Sequence, residues 1–95
     1  MTYSLEFHPD ALEEWEKLPE PVKQRFKNKL KERLENPHVP KSRLSGGRNL
    51  YKIKLKTPPF RLTYKVDDNE FVVLTLSIGK RDGNVYKQML QRNEK

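Results

Sequence analysis

The sequence has no cysteine, only two histidines and no long apolar run. The lack of cysteine excludes disulfide bonds, thiolate chemistry and cysteine-rich metal sites. His8 and His38 show neither a carboxylate partner visible in the sequence nor the spacing of metal ligands, so we expect both to be structural or exposed. We accordingly expect no metal and no cofactor. The apolar run near residues 71–76 is far shorter than the roughly 20 residues that a membrane-spanning helix needs.

The beginning of the chain has no basic start and no small-residue cleavage site of a signal peptide. We therefore expect a cytoplasmic protein that does not engage a membrane. A length of 95 residues suits one compact domain, covering residues 1–95. Because apolar residues make up 34% and charged residues 35%, the core is expected to be thin and the surface ionic.

Positive charge dominates this surface. There are 20 Lys and Arg against 13 Asp and Glu, which gives a formal net charge of +7. Such a field attracts polyanions, and composition alone fits nucleic acid, an anionic membrane surface or an acidic protein equally well. The choice among these partners depends on where the charges lie in the fold.

The first third of the chain predicts a strand followed by two helices. Tyr3, Leu5 and Phe7 alternate with polar residues, and the sequence Pro9-Asp10 suits the first turn of a helix. The first helix carries Ala11, Leu12, Trp15 and Leu18 on one face. Prolines 19 and 21 then break the chain, and a second helix presents Val22, Phe26, Leu30 and Leu34 until it ends near Asn36-Pro37.

The remainder predicts three strands and a short helix. Residues 51–55 and 60–64 alternate apolar and basic side chains on either side of a Pro-Pro turn, and residues 71–78 are apolar enough for an interior strand. If Leu55 faces Phe60 across the turn, Lys54 faces Arg61. With a helix over residues 85–90, the order is β-α-α-β-β-β-α, an α+β domain with a helical hairpin and an antiparallel three-strand meander.

Four cations form the most informative group: Lys52, Lys54 and Arg61 on one sheet face, and Arg81 at the end of the next strand. Like charges opposite each other destabilise a sheet, so their recurrence indicates an anionic ligand. Cleavage of RNA by its own 2′-hydroxyl needs a held phosphate, a base, an acid and stabilisation of negative charge. Arg61 and Arg81 suit the phosphate, since guanidinium groups clamp its oxygens. Either lysine could act as the base, because neighbouring cations disfavour the charged form.

Tyr86 follows this group on the C-terminal helix. It could stack on a base or bind the attacking hydroxyl, or it could simply contribute to the core, since it has helical spacing with Leu90. The basic residues of the second helix allow two interpretations as well, contact with ribosomal RNA or plain solvation. The residue types alone leave both questions open.

The chain resembles the RelE toxins of bacterial and archaeal toxin–antitoxin modules over essentially its full length. The segments that carry the resemblance are residues 10–18 (DALEEWEKL), 51–55 (YKIKL), 60–64 (FRLTY), 78–81 (IGKR) and 85–86 (VY). The resemblance implies an endonuclease that cuts messenger RNA in the ribosomal A site and is held by an antitoxin. It places the catalytic set on Lys52, Lys54, Arg61, Arg81 and Tyr86.

Further cations around this set are expected to contact RNA or the ribosome: Arg43, Arg48, Lys56, Lys80, Lys23 and Lys27. One departure from the family is Ser45, which stands where better-known members carry an arginine in the central loop. Two alternatives share the fold or the charge: a ParE-like protein that inhibits DNA gyrase without catalysis, and a basic module that binds nucleic acid without cutting it.

The expected partners are the 70S ribosome with its message and a RelB-like antitoxin. The antitoxin should carry acidic and apolar segments that cover the basic patch and the exposed edge of the core, and it could fold on binding. Operator DNA is expected to be bound only through the toxin–antitoxin complex.

Overall fold

The computed structural model describes residues 2–80 and 83–93 and has the element order that the sequence predicts. Its elements are β1 (Ser4–Phe7), α1 (Pro9–Glu16), α2 (Glu20–Glu35), a 3-10 turn (Pro40–Ser42), β2 (Leu50–Lys54), β3 (Phe60–Asp67), β4 (Val72–Lys80) and α3 (Val85–Asn93). The strands form one sheet in the order β1-β4-β3-β2. Over the described ranges, none of the helices is both long and apolar enough to cross a lipid bilayer.

Local sequence signals set the limits of the first two helices. α1 begins at Pro9, and the Nδ1 atom of His8 accepts a hydrogen bond from the amide of Asp10 at 3.2 Å. His8 is therefore a structural cap, as expected. α2 ends at Glu35, with Asn36 as its C-cap residue, because the residue before Pro37 leaves helical geometry.

The strand register agrees with the predicted one. β2 and β3 are antiparallel, with Tyr51 opposite Tyr64 and Lys54 opposite Arg61, and β3 pairs with β4 around an irregularity between Thr63 and Tyr64. The sequence pattern predicts no partner for β1. It lies parallel to β4 and pairs with it over Val72–Thr75, and within the part of the chain that the structure describes the later part of β4 has no strand on that side.

Helices cover both faces of the sheet. The larger core joins Phe26 and Leu30 of α2 to Ile53, Leu62 and other buried sheet residues. The smaller core lies on the opposite face, where Met89 of α3 contacts Leu50 and Leu76.

The predicted apolar face of α1 is only partly buried. Ala11 is fully buried, and Trp15 and Leu18 contact the larger core. Leu12 is 44% exposed, because the short helix turns it away from the sheet. An exposed apolar residue of this size is available to a partner.

Candidate active site

The cationic set lies on the sheet face that α3 partly covers. Lys54 and Arg61 are directly opposite each other at the open end of the β2–β3 pair, and Lys52 is two residues earlier on the same face of β2. Lys54 is exposed, whereas Lys52 and Arg61 are half-buried. Placing three cations on neighbouring positions costs free energy that a bound anion would recover.

Tyr86 joins this set through Arg61. It lies in the first turn of α3 and is half-buried, and its hydroxyl accepts a hydrogen bond from Nη1 of Arg61 at 3.0 Å. The guanidinium carbon of Arg61 is 5.5 Å from the centroid of the Tyr86 ring. The residues of α3 that fill the core are Val85 and Met89, so Tyr86 is not a core residue. Its hydroxyl and its ring are therefore in contact with Arg61.

One predicted RNA contact, Lys80, lies at the end of β4. Lys80 is the last residue of the strand, opposite Phe60, and is exposed. Arg81 lies outside the described residues. Its place in the site therefore stays a prediction from the sequence.

Arg33 supports the set from behind. The sequence predicts that Arg33, like the other basic residues of α2, contacts RNA or solvent, but it is half-buried. Its guanidinium donates hydrogen bonds to the backbone carbonyl of Lys52 at 3.2 Å, the hydroxyl of Tyr64 at 2.9 Å and Oγ of Ser42 at 3.2 Å. α2 is thereby fixed to β2 at the position of Lys52. Burial raises the pKa of Tyr64, while its hydrogen bond with Arg33 acts in the opposite direction.

His38 has a carboxylate partner that the sequence did not reveal. Nε2 of His38 is 2.9 Å from Oδ1 of Asp68, and Nδ1 is 2.9 Å from the hydroxyl of Tyr51. Because a carboxylate only accepts, Nε2 donates to Asp68, and the Tyr51 hydroxyl is the hydrogen-bond partner of Nδ1. Tyr51 lies on the sheet face opposite to that of Lys52, so this chain of contacts is structural.

Asp68 also receives a hydrogen bond from the hydroxyl of Tyr3 at 2.6 Å. The pKa of Asp68 is lowered by the hydrogen bonds that it accepts, first from Tyr3 and second from His38. The hydrogen bond to Asp68 raises the pKa of Tyr3. This network fastens the start of the chain and the segment after α2 to the β3–β4 turn. The Asp68 carboxylate therefore has a structural role at this turn.

A basic groove of about 590 Å³ adjoins the set between α2 and the β2–β3 hairpin. Arg25 and Lys29 line it from α2, and Lys54 and Lys56 line it from the hairpin, with Glu32 as the acid among its lining residues. From the sequence, Arg25 and Lys29 belong to the basic residues of α2 that contact ribosomal RNA or solvent, and they are not among the individually predicted RNA contacts. The sequence feature that indicates a shared position for them is the four-residue spacing of residues 25, 29 and 33, which places these residues on one side of α2.

The other predicted RNA contacts are dispersed. Arg43 and Arg48 are exposed in the segment between the 3-10 turn and β2. Lys23 and Lys27 occupy a different side of α2 from Arg25 and Lys29. Lys27, with Lys31, borders a groove of about 330 Å³ whose floor is apolar; its other lining residues are Leu5, Phe7, Trp15, Leu30 and Leu34.

The family-model comparison matches residues 5–85 to the ParE toxin of the type II toxin–antitoxin system parDE. The chain is 42% identical over 93 residues to the mRNA interferase toxin RelE of Escherichia coli K12, covering 97% of this chain and 98% of that one. This chain belongs to the RelE-type toxins of type II toxin–antitoxin systems. The level of identity with RelE favours this assignment over a ParE-like gyrase inhibitor.

Solved RelE structures have the same fold. A double arginine-to-alanine variant of E. coli RelE in the free state superposes with a TM-score of 0.89, at 41% identity, covering 97% of this chain and 98% of that chain. The toxin in the intact E. coli RelBE toxin–antitoxin complex gives a TM-score of 0.82 at 42% identity, over 85% of this chain and 99% of that chain. The RelE-type fold is therefore established for this protein.

Proposed function

We propose that this protein is a cytoplasmic endoribonuclease toxin that cuts messenger RNA in the ribosomal A site and so inhibits translation. The observation that carries the proposal is that Lys52, Lys54 and Arg61 lie together on one sheet face, with the Tyr86 hydroxyl hydrogen-bonded to Arg61. The relatives named as mRNA interferases support the same activity.

The reaction requires no group outside the chain. Attack of the ribose 2′-hydroxyl on the adjacent phosphorus breaks the bond to the 5′-oxygen of the next nucleotide and leaves a cyclic phosphate. Arg61 holds the phosphate oxygens and stabilises their growing negative charge, a role in which Arg81 joins it. Either Lys52 or Lys54 removes the proton of the 2′-hydroxyl, and the leaving 5′-oxygen takes up a proton from the other lysine in its ammonium form or from water. Tyr86 orients the ribose or the base.

The ribosome is the proposed source of substrate geometry. The set is open on the sheet surface and has no histidine base, so its rate depends on RNA that is already held in line. The basic groove beside Lys54, together with Arg43, Arg48 and Lys80, supplies the positive surface for the message and ribosomal RNA. Lys23 and Lys27 extend this positive surface on the other side of α2.

We further propose that a RelB-like antitoxin silences the toxin. The apolar groove bordered by Lys27 and Lys31, the exposed Leu12 and the net charge of +7 suit a chain with apolar and acidic residues. The E. coli relative is solved as a RelBE toxin–antitoxin complex. Operator DNA would be bound by that complex and not by the free toxin.

The decisive experiment adds purified toxin to an in vitro translation reaction and maps the 5′ ends of a defined message by primer extension. We expect discrete cuts within A-site codons, abolished in a Lys54→Ala/Arg61→Ala double variant. A Lys17→Ala/Lys31→Ala variant loses the same charge away from the set and should cut normally. An intact message with normal translation would contradict the proposal, and a gyrase supercoiling assay and an RNA-binding assay would then separate the two alternatives.

A further inference from the structure

The position of Tyr86 depends on how α3 is attached to the rest of the fold. α3 spans Val85–Asn93, and a helix of 9 residues is too short to be stable by itself. Only Val85 and Met89 of this helix are buried apolar residues among those described. The attachment of α3 therefore depends strongly on its polar contacts.

The first turn of α3 is held by two buried hydroxyl groups. Oγ of Ser77 donates to the backbone carbonyl of Val85 at 2.8 Å, and Oγ1 of Thr63 is 2.6 Å from Oγ of Ser77. Since Ser77 uses its proton on Val85, Thr63 is the donor to Ser77. Thr63 lies opposite Lys52 in the sheet, so this contact ties the residue before Tyr86 to the strands of the cationic set.

The last turn of α3 is held by Arg92, which is 13% exposed. Its Nη1 donates to Oε1 of Glu14 at 2.8 Å and to the carbonyl of Leu76 at 2.8 Å, and its Nη2 donates to Oε2 of Glu14 at 3.2 Å. Nε of Arg92 is also 3.8 Å from a carboxylate oxygen of Asp10. This two-point pairing of guanidinium and carboxylate fixes orientation as well as distance.

Glu14 completes the contact by accepting a hydrogen bond from the amide of Ile78 at 3.0 Å. The groups involved, the Leu76 carbonyl and the Ile78 amide, lie where β4 has passed the end of β1. Within the described ranges, the polar backbone of that edge is satisfied by two side chains instead of a strand. Glu14 and Arg92 thus connect α1, β4 and α3 at one point.

We propose that Glu14 and Arg92 are positioning residues for Tyr86. This proposal rests on the proposed function. The pair acts by keeping α3 docked, so that the Tyr86 hydroxyl stays hydrogen-bonded to Arg61. Arg92 is six residues after Tyr86, about 9 Å along the helix axis, and its guanidinium is directed to Glu14 and Leu76 and not to the Tyr86–Arg61 contact. Release of the last turn leaves the start of α3 attached through Val85, Met89, the Ser77 contact and the Arg61–Tyr86 hydrogen bond.

The test combines Glu14→Gln and Arg92→Gln with Tyr86→Phe and measures single-turnover cleavage on programmed ribosomes. We expect each of the two single variants to lower the maximal rate by roughly tenfold, with little change in the toxin concentration at half-maximal rate. The two together should cost no more than either alone. In a Tyr86→Phe background, neither should lower the rate further. Arg92→Lys, which keeps one charged donor, should recover part of the rate.

Matched controls are Glu13→Gln, the neighbouring carboxylate on α1, and Lys87→Gln, the exposed cation that follows Tyr86. Hydrogen exchange gives a readout that does not need cleavage: the amide of Ile78 and those of α3 should exchange faster in Arg92→Gln than in Lys87→Gln. A wild-type rate in Arg92→Gln, or an equal loss with and without the Tyr86 hydroxyl, would overturn the inference. If wild-type protein does not cut RNA, the proposed function fails instead, and hydrogen exchange still tests the contact.

Discussion

Replacing Arg33 with methionine removes the half-buried guanidinium behind Lys52 and keeps a side chain of similar length. Three hydrogen bonds disappear, to the Lys52 carbonyl, the Tyr64 hydroxyl and Ser42. Bonds to a charged group contribute about 1.5–3 kcal/mol each, and we take about 1 kcal/mol apiece, because two are 3.2 Å long and the site is half-exposed. About 1 kcal/mol of this loss in stability is offset, because an apolar methionine avoids the cost of burying a charge.

We therefore expect Arg33→Met to lower the free energy of unfolding by about 2 kcal/mol, which corresponds to a fall in Tm of about 8–16 °C for a domain of this size. Urea unfolding followed by the fluorescence of the single tryptophan, Trp15, measures the change. Lys31→Met on the exposed side of α2 is the control and should change stability by less than about 0.5 kcal/mol. A change in Arg33→Met no larger than in this control would refute the idea that Arg33 fixes β2.

Three further predictions concern charge and backbone. Because the pKa of Asp68 is lowered in the fold, its contribution is present above its unfolded value of 3.8 and is lost as pH falls below it; Asp68→Asn should flatten the dependence of Tm on pH between pH 5 and 3. Lys54→Ala should reduce the slope of log RNA affinity against log salt by about 0.7, measured by filter binding, whereas Lys17→Ala should leave it unchanged. Gly46→Ala should cost about 1–2 kcal/mol in urea unfolding relative to Ser45→Ala, because φ is +104° and an added Cβ would lie 2.4 Å from the Leu90 side chain.

The sequence predicted the sheet register because its information there is local. Basic and apolar residues alternate on both strands, and the Pro-Pro turn fixes which residues face each other, so the Lys54–Arg61 pair followed from the pattern. The partner of β1 could not be predicted in the same way. Its pairing with Val72–Thr75 joins segments that are distant in sequence, and alternation says nothing about which edge a strand joins.

The candidate site was predictable in composition but not in its supports. Residue type gave the cations, and the resemblance added Tyr86, whose contact with Arg61 only the geometry reveals. Arg33 and Arg92 are charged residues on helices, and pattern analysis assigns such residues to solvent. The partner of Arg92 is 78 positions away along the chain, so no spacing rule links the two residues.

Contacts from α2 and α3 explain how the fold tolerates like charges at opposed positions. Arg61 is held by the hydroxyl and ring of Tyr86 on α3, while the backbone of Lys52 is held by Arg33 on α2. Neither contact supplies a negative charge, and among the described residues no ion pair joins Lys52, Lys54 or Arg61 to a carboxylate. Any anion that settles there, whether an RNA phosphate or a carboxylate of a protein partner, binds the folded state alone and stabilises it by linkage. The same positive charge therefore attracts the RNA substrate and also allows an acidic inhibitor to occupy the site.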